Sequence, residues 1–167
     1  ELMIKAFAEA NIPNSQFRIY RGGNKKGKCV QIVQELGLTN VSFDFVNRDK
    51  IPFVQSQVDV LVLALPAGNG NLCLPSKLTS YMLSGKPVLA SVDEESSTKR
   101  ILTSSGAGYV VTPDSLESFK RGFDFFAQLD KEQLDAMGDS SKRYAKDHLT
   151  REINLMLVVD RINTIIQ

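Results

Sequence analysis

The residues best suited to chemistry lie close together: Gly68, Asn69 and Gly70, then Pro75, Ser76, Lys77 and Leu78. Glycines let backbone approach a ligand closely. A serine after a proline suits a helix start, with Ser76 as N-cap, and the open N–H groups near Ser76, Lys77 and Leu78 then favour an anion. The Lys77 ammonium adds a cation beside them. Such donors stabilise negative charge building on a leaving phosphate. The plainer alternatives are a capped helix with a solvated lysine and glycines that do no more than turn.

The flanking elements position this loop. Before it, Val58-Asp59-Val60-Leu61-Val62-Leu63-Ala64-Leu65 is a short Val/Leu run that suits a parallel strand buried on both faces. After it, Leu78 and Met82 lie four apart on one helix face, Gly85 with Pro87 stops that helix, and Val88-Leu89-Ala90-Ser91-Val92 is the next strand. Strand, loop, helix, strand puts the loop beyond the carboxyl end of a strand, where open α/β sheets bind ligands.

The same alternation extends both ways. Glu1 to Ala10 has helical period (Met3, Ala6, Phe7, Ala10) with neither an initiating Met nor a clear cap, which reads as a fragment beginning inside a helix. Gln16 to Tyr20 is a strand, Arg21 to Lys28 a glycine and lysine loop, Val30 to Leu36 a helix ended by Gly37, and Val41 to Val46 a strand. Asn47 or Asp49 caps a brief helix to Gln57. Beyond the polar loop Glu94-Glu95-Ser96-Ser97-Thr98 a helix runs from Lys99 to Gly106, and Gly108 to Val111 is the last strand. Asp114 with Glu117 and Asp130 with Gln133 are capping signals for two helices, the first apolar at Leu116, Phe119, Phe123 and Phe126. Thr150 caps a terminal helix to Ile166 that is apolar on more than one face, fit for a core or for docking onto a further domain. The expected fold is a single α/β Rossmann-like domain over residues 1–167: a doubly wound, mostly parallel sheet with extra C-terminal helices.

Composition narrows the function. With 43% hydrophobic and 23% charged residues the chain can bury a core, and a net charge of +1 implies neither nucleic acid nor an anionic membrane as partner. Cys29, Cys73 and the single His148 form no zinc or disulfide pattern, which fits a reducing cytoplasm. His148 is expected to be structural. No run of about 18 apolar residues is present. One competing motif is Gly22-Gly23-Asn24-Lys25-Lys26-Gly27-Lys28-Cys29, which has phosphate-loop spacing. Cys29, however, stands where a hydroxyl should hold magnesium, and hard cations prefer oxygen.

The ordered series Pro75-Ser76-Lys77-Leu78, Tyr81-Met82-Leu83-Ser84-Gly85-Lys86-Pro87-Val88, Gly106-Ala107-Gly108-Tyr109-Val110-Val111, Pro113-Asp114, Arg143-Tyr144 and His148-Leu149-Thr150 resembles the C-terminal, donor-binding half of GT-B glycosyltransferases. The resemblance is to glycosyltransferase family 4, in a bacterial cell-surface polysaccharide subgroup, and covers nearly the whole chain. It implies an enzyme that transfers a sugar from a nucleotide sugar, most readily a UDP-sugar, to a saccharide or lipid-linked acceptor with retention and no metal or other cofactor. It also implies an N-terminal acceptor-binding domain of the same protein, so that the fragment alone is inactive. Membrane contact at the inner face of the cell membrane would come through that half. By resemblance Lys77 stabilises the leaving phosphate, and Gly22, Gly23, Asn47, Arg48, Gly68, Asn69, Gly70, Pro75, Ser76, Leu78 and Ser80 surround the donor. Where many members carry two glutamates, this chain has Leu72 and Ser80, a departure that leaves the sugar open. Two further readings stand beside it: a non-catalytic α/β binding module, and a phosphate-loop-like nucleotide-binding protein.

Overall fold

Five strands of four residues each, alternating with helices, form the frame of this protein among the described residues, as seen in a computed structural model that describes residues 1–20, 24–68 and 74–166. The strands are β1 (Phe17–Tyr20), β2 (Val41–Asp44), β3 (Leu61–Ala64), β4 (Val88–Ser91) and β5 (Gly108–Val111). The helices are α1 (Leu2–Ala10), α2 (Lys26–Glu35), α3 (Ile51–Ser56, entered through a 3-10 turn Arg48–Lys50), α4 (Ser76–Leu83), α5 (Ser97–Ser105), α6 (Leu116–Ala127), α7 (Lys131–His148) and α8 (Arg151–Ile166).

All strand pairing is parallel, as the alternation requires. The expected sheet is divided into two ladders, β1-β2 and β3-β4-β5. In the second, Leu61 lies opposite Val88 and Val88 opposite Gly108. Side chains alternate across β4, and two cores result. Val88, Ala90 and Val92 join Leu78 and Met82 of α4, Leu102 of α5 and Ala145 of α7. Leu89 faces the other way, with Val111, toward Ala6 and Phe7 of α1 and Phe119, Phe123 and Phe126 of α6. β4 is buried along its whole length, whereas β3 buries only Leu63. Each fully buried Leu or Val contributes about 1.5–3 kcal/mol.

Local chemistry sets the helix ends. The Asp130 carboxylate accepts from Gln133 N–H at 2.8 Å and the Gln133 side chain accepts from Asp130 N–H at 2.9 Å, the capping box expected there. Thr150 accepts from Ile153 N–H as expected. Ser96, fully buried, caps α5, and Gly106 closes it with φ +63.

Six expectations change. α5 starts at Ser97, inside the segment read as loop, because Ser96 caps it by accepting from Lys99 N–H at 3.1 Å. β3 is half-exposed rather than buried on both faces, since among the described residues only β4 pairs with it. Ser115 rather than Asp114 caps α6, accepting from Ser118 N–H at 3.2 Å, because Asp114 takes up the turn at φ 55. Pro75 rather than Ser76 holds the cap position of α4, with φ −64 and ψ 127, so Ser76 is already helical. α2 begins at Lys26, four residues before Val30, through an exposed first turn that carries no apolar signal. α8 is not a core helix: Leu155, Met156, Leu157, Val158, Val159, Ile162 and Ile165 are 46–75% exposed. No described helix is long and apolar enough to cross a membrane.

Candidate functional site

The carboxyl ends of β3 and β4 carry the first parts of the site. β3 ends at Ala64 and leads through Leu65 and Pro66 to Gly68, whose φ of +81 suits glycine alone without strain. Gly68 N–H donates to Asp93 Oδ1 at 3.1 Å, which ties the loop after β3 to the loop after β4. Asp93 is a site residue that the sequence did not single out. Its place just after the apolar run Val88–Val92 is the signal that finds it, since ligands gather at strand carboxyl ends.

α4 then presents its N-terminus. Leu78, fully buried, anchors the first turn, and its N–H is taken up by the Pro75 carbonyl at 2.9 Å. The turn therefore offers the N–H groups of Ser76 and Lys77, which meet no acceptor among the described residues, and not that of Leu78. Ser76 and Lys77 are both exposed. Partial positive charge at the helix start and the Lys77 ammonium add to one another, so this end of α4 suits an oxyanion.

Deeper on α4, Ser80 Oγ donates to Gln55 Oε1 of α3 at 2.9 Å, and Gln55 is buried. No carboxylate stands at Ser80, and its hydroxyl proton is committed to a neutral amide. Burial raises the Tyr81 phenol above its ordinary value of 10.0, which keeps it neutral. Asn47 holds the cap position of the 3-10 turn beyond β2 with no side-chain capping bond, and Arg48 is the first residue of that turn; both are exposed. Gly22, Gly23, Asn69 and Gly70 lie outside the described residues, as does Leu72. Lys25, Lys26, Gly27 and Lys28 of the phosphate-loop-like motif are exposed, and Cys29 sits half-buried in α2.

Two cavities flank this arrangement. One of about 200 Å³ lies at the carboxyl ends of β3 and β4, between Ala64, Leu65, Pro66 and Ser91 on one side and Glu1 to Met3 of the α1 N-terminus on the other, with Asp114 at its rim. The second, about 190 Å³, lies along β5 between Lys99 and Arg121 and includes none of the residues singled out as donor-binding. Its two cations are already engaged: Lys99 pairs with Glu94, and Arg121 with Glu117 at 2.8 Å. Glu94 is thus a surface partner, and Ser96 a helix cap. His148 is exposed at the end of α7, its ring 4.5 Å from that of Tyr144. Among the described residues no group of three or more His, Cys, Asp or Glu side chains is disposed to hold a metal ion.

No protein-family model matches the sequence, and no curated protein matches it either. Among solved structures the fold recurs. Sucrose-phosphate synthase from Thermosynechococcus elongatus superposes on 99% of this chain and 43% of its own length, with a TM-score of 0.76 and 18% identity. HepE from Anabaena in complex with UDP matches 98% of this chain and 44% of its own, with a TM-score of 0.77 and 16% identity. HepE has also been solved with UDP-glucose. The C-terminal domain of LpcC, a group 1 glycosyl transferase from Francisella tularensis, covers 89% of this chain, which covers 80% of that domain, with a TM-score of 0.68 and 17% identity. At such identities the likeness is one of fold. This chain spans less than half the length of the first two proteins and most of the C-terminal domain of LpcC.

Proposed function

We propose that this chain is the nucleotide-sugar-binding domain of a glycosyltransferase of the GT-B type, in family 4, and that it acts within a longer polypeptide. The observation that carries the reading is the exposed first turn of α4, with Ser76, Lys77 and the Pro75 cap. It stands in an α/β fold shared with the glycosyl transferase LpcC and with HepE, which has been solved with UDP and with UDP-glucose. In the reaction the bond between the sugar's anomeric carbon and the β-phosphate oxygen breaks, its electron pair goes to the phosphate, and the acceptor hydroxyl oxygen bonds to that carbon and gives its proton to the departing phosphate. The N–H groups of Ser76 and Lys77 and the Lys77 ammonium hold the new phosphate charge without a metal. Asn47 and Arg48 flank the base, and Gly22, Gly23, Gly68, Asn69 and Gly70 carry the approach of the phosphates.

The acceptor, a saccharide or lipid-linked glycan of polysaccharide biosynthesis at the cytoplasmic side of the membrane, is held by a second domain. The uncovered apolar surface of α8 supports that reading, since one further domain would bury it. A non-catalytic binding module is favoured by one observation: Ser80 turns its hydroxyl to Gln55 where many members of the resembled family have a carboxylate.

Titration of labelled protein with UDP, GDP and ADP, in EDTA and then in magnesium, tests the proposal. Amide shifts from one diphosphate without metal, centred on Ser76, Lys77 and Gly68, are expected. Shifts only with magnesium and ATP, at residues 22–28, would replace the reading with a phosphate loop. Silence from every nucleotide in a folded sample would favour the non-catalytic module.

A further inference from the structure

Among the described residues β5 has a strand on one side alone, and a cavity that the proposed reaction leaves idle runs along it. Val88 N–H donates to Ala107 C=O at 3.0 Å and Val92 N–H to Val111 C=O at 3.2 Å. In a parallel ladder the backbone groups of alternate residues point to opposite sides. Ala107, Tyr109 and Val111 therefore face β4, and Gly108, Val110 and Thr112 face the open edge. The cavity, about 190 Å³, takes in Val110 and Thr112 together with Lys99 of α5 and Ser118 and Arg121 of α6. α5 and α6 pack on opposite faces of the sheet through Leu102 and Phe119, so the two cations come from opposite walls.

Ser118 says what such a cavity would hold. It is 3% exposed, and its Oγ accepts from Thr112 N–H at 3.1 Å and from the Arg121 guanidinium at 3.3 Å. Both lone pairs are spent, and the hydroxyl proton meets no acceptor among the described residues. A buried hydroxyl that can only donate, in the wall of a cavity, calls for an acceptor inside it. Val110 N–H, on the open edge, has no strand to bond to either. Lys99 and Arg121 add charge to this set of donors. Their present partners are loosely held, because Glu94 and Glu117 are 78% and 80% exposed and pairs so exposed contribute little. Glu94 is the one acid in the wall, and it sets its carboxylate against Lys99 where a ligand's oxyanion would otherwise stand.

The geometry points to a second ligand site here, along the open edge of β5, for the phosphate group of a small phosphate ester. A terminal phosphate presents three acceptor oxygens and about two negative charges, enough for the Lys99 ammonium, the Arg121 guanidinium and the Ser118 hydroxyl together, whereas a carboxylate has two oxygens and one charge. Glu94 gives up Lys99 as the phosphate enters. The backbone N–H and C=O of Val110 are left for hydroxyls on the ester's few carbons. The volume is below the roughly 300 Å³ at which pockets for larger ligands begin, so a nucleotide does not fit. Gly68, Ser76 and Lys77 have no part in this wall, and the site does not rest on the nucleotide-sugar reading.

Titration of labelled protein with inorganic phosphate, glycerol 3-phosphate and succinate, at constant ionic strength and with no nucleotide present, tests the site through its amide shifts. Saturable shifts at Val110, Thr112 and Ser118 are expected from both phosphates and not from succinate, with the ester half-saturating on the order of 1 mM or below. Arg121→Gln is expected to weaken the ester about tenfold or more, and Glu94→Gln, which removes the competing carboxylate, to tighten it about twofold to fivefold. Lys142→Gln, which removes a charge on α7 outside the cavity, should change neither. Absence of saturation at the three amides would overturn the site. Shifts confined to Ser76 and Lys77 would overturn it too, while leaving the nucleotide reading intact. An equal response to succinate, or equal losses from Arg121→Gln and Lys142→Gln, would reduce the effect to general charge attraction and likewise overturn it.

Discussion

Gly138 of α7 and Gly85, just after α4, are packed so closely that a Cβ on Gly138 would fall 2.2 Å from the Gly85 carbonyl oxygen. Backbone meets backbone there, and no side chain can yield. Gly138→Ala must push α7 away from α4, whose other end carries Ser76 and Lys77. A loss of about 2–3 kcal/mol is expected, read as a lower denaturant midpoint with an unchanged slope. Retention of the wild-type midpoint would mean that α7 slides freely over this crossing.

Lys77 is exposed on the first turn of α4, so its removal should leave the fold alone and weaken an anion. Lys77→Ala is expected to cost on the order of tenfold in UDP affinity by calorimetry, with stability within about 0.5 kcal/mol of wild type. Added salt should narrow the difference between the two proteins, because exposed charges are screened. Equal affinities would remove Lys77 from the donor site.

The start of α6 distinguishes two adjacent residues. Ser115 accepts the Ser118 N–H, whereas Asp114 sits at φ 55 and caps nothing there. Ser115→Ala is expected to lower stability by about 1 kcal/mol, and Asp114→Gly to be neutral or mildly stabilising, since glycine adopts positive φ without strain. Thermal melts of the two variants would show the contrast, and a reversed order would return the cap to Asp114.

Leu155, Val158 and Ile162 lie on one stripe of α8 and are about half exposed or more. Replacing all three with serine should leave the melting temperature of this chain within about 2 °C of wild type. It should also reduce binding of a hydrophobic dye. A fall of several degrees would instead show that α8 is packed on the body of the domain.

Most of the architecture was legible because it depends on local pattern. Val88-Leu89-Ala90-Ser91 reads as a strand and is one, and the box at Asp130 and Gln133 forms both of its bonds, whereas the Val/Leu run of β3, read as buried on both faces, buries only Leu63. The misplaced features have specific causes. Asp114 and Ser115 are both good caps by residue type, and the turn out of β5 chooses between them through a dihedral angle that composition does not encode. Periodicity marks Leu155, Val158 and Ile162 as a contact stripe without saying whether the contact lies inside the domain. The site divides similarly. Its location beyond β3 follows from residue order, but the bonds from Gly68 to Asp93 and from Ser80 to Gln55 each join residues 25 apart, through folding of the intervening chain.

The ring of Phe7 in α1 lies 5.5 Å from that of Phe123 in α6, and both touch Phe17 of β1. During synthesis the first two of these aromatics leave the ribosome on the order of ten seconds before the third. β3 to α5 hold a core of their own in Leu78, Met82 and Val88 and can settle from short-range contacts. The N-terminal third is expected to wait with its apolar face uncovered until α6 emerges, a delay that an arrest-peptide force profile would register as a late pull after Phe126. α1, made before the rest of this domain, then waits through the synthesis of five strands for its partner α6, and it is there that a chaperone has most to hold.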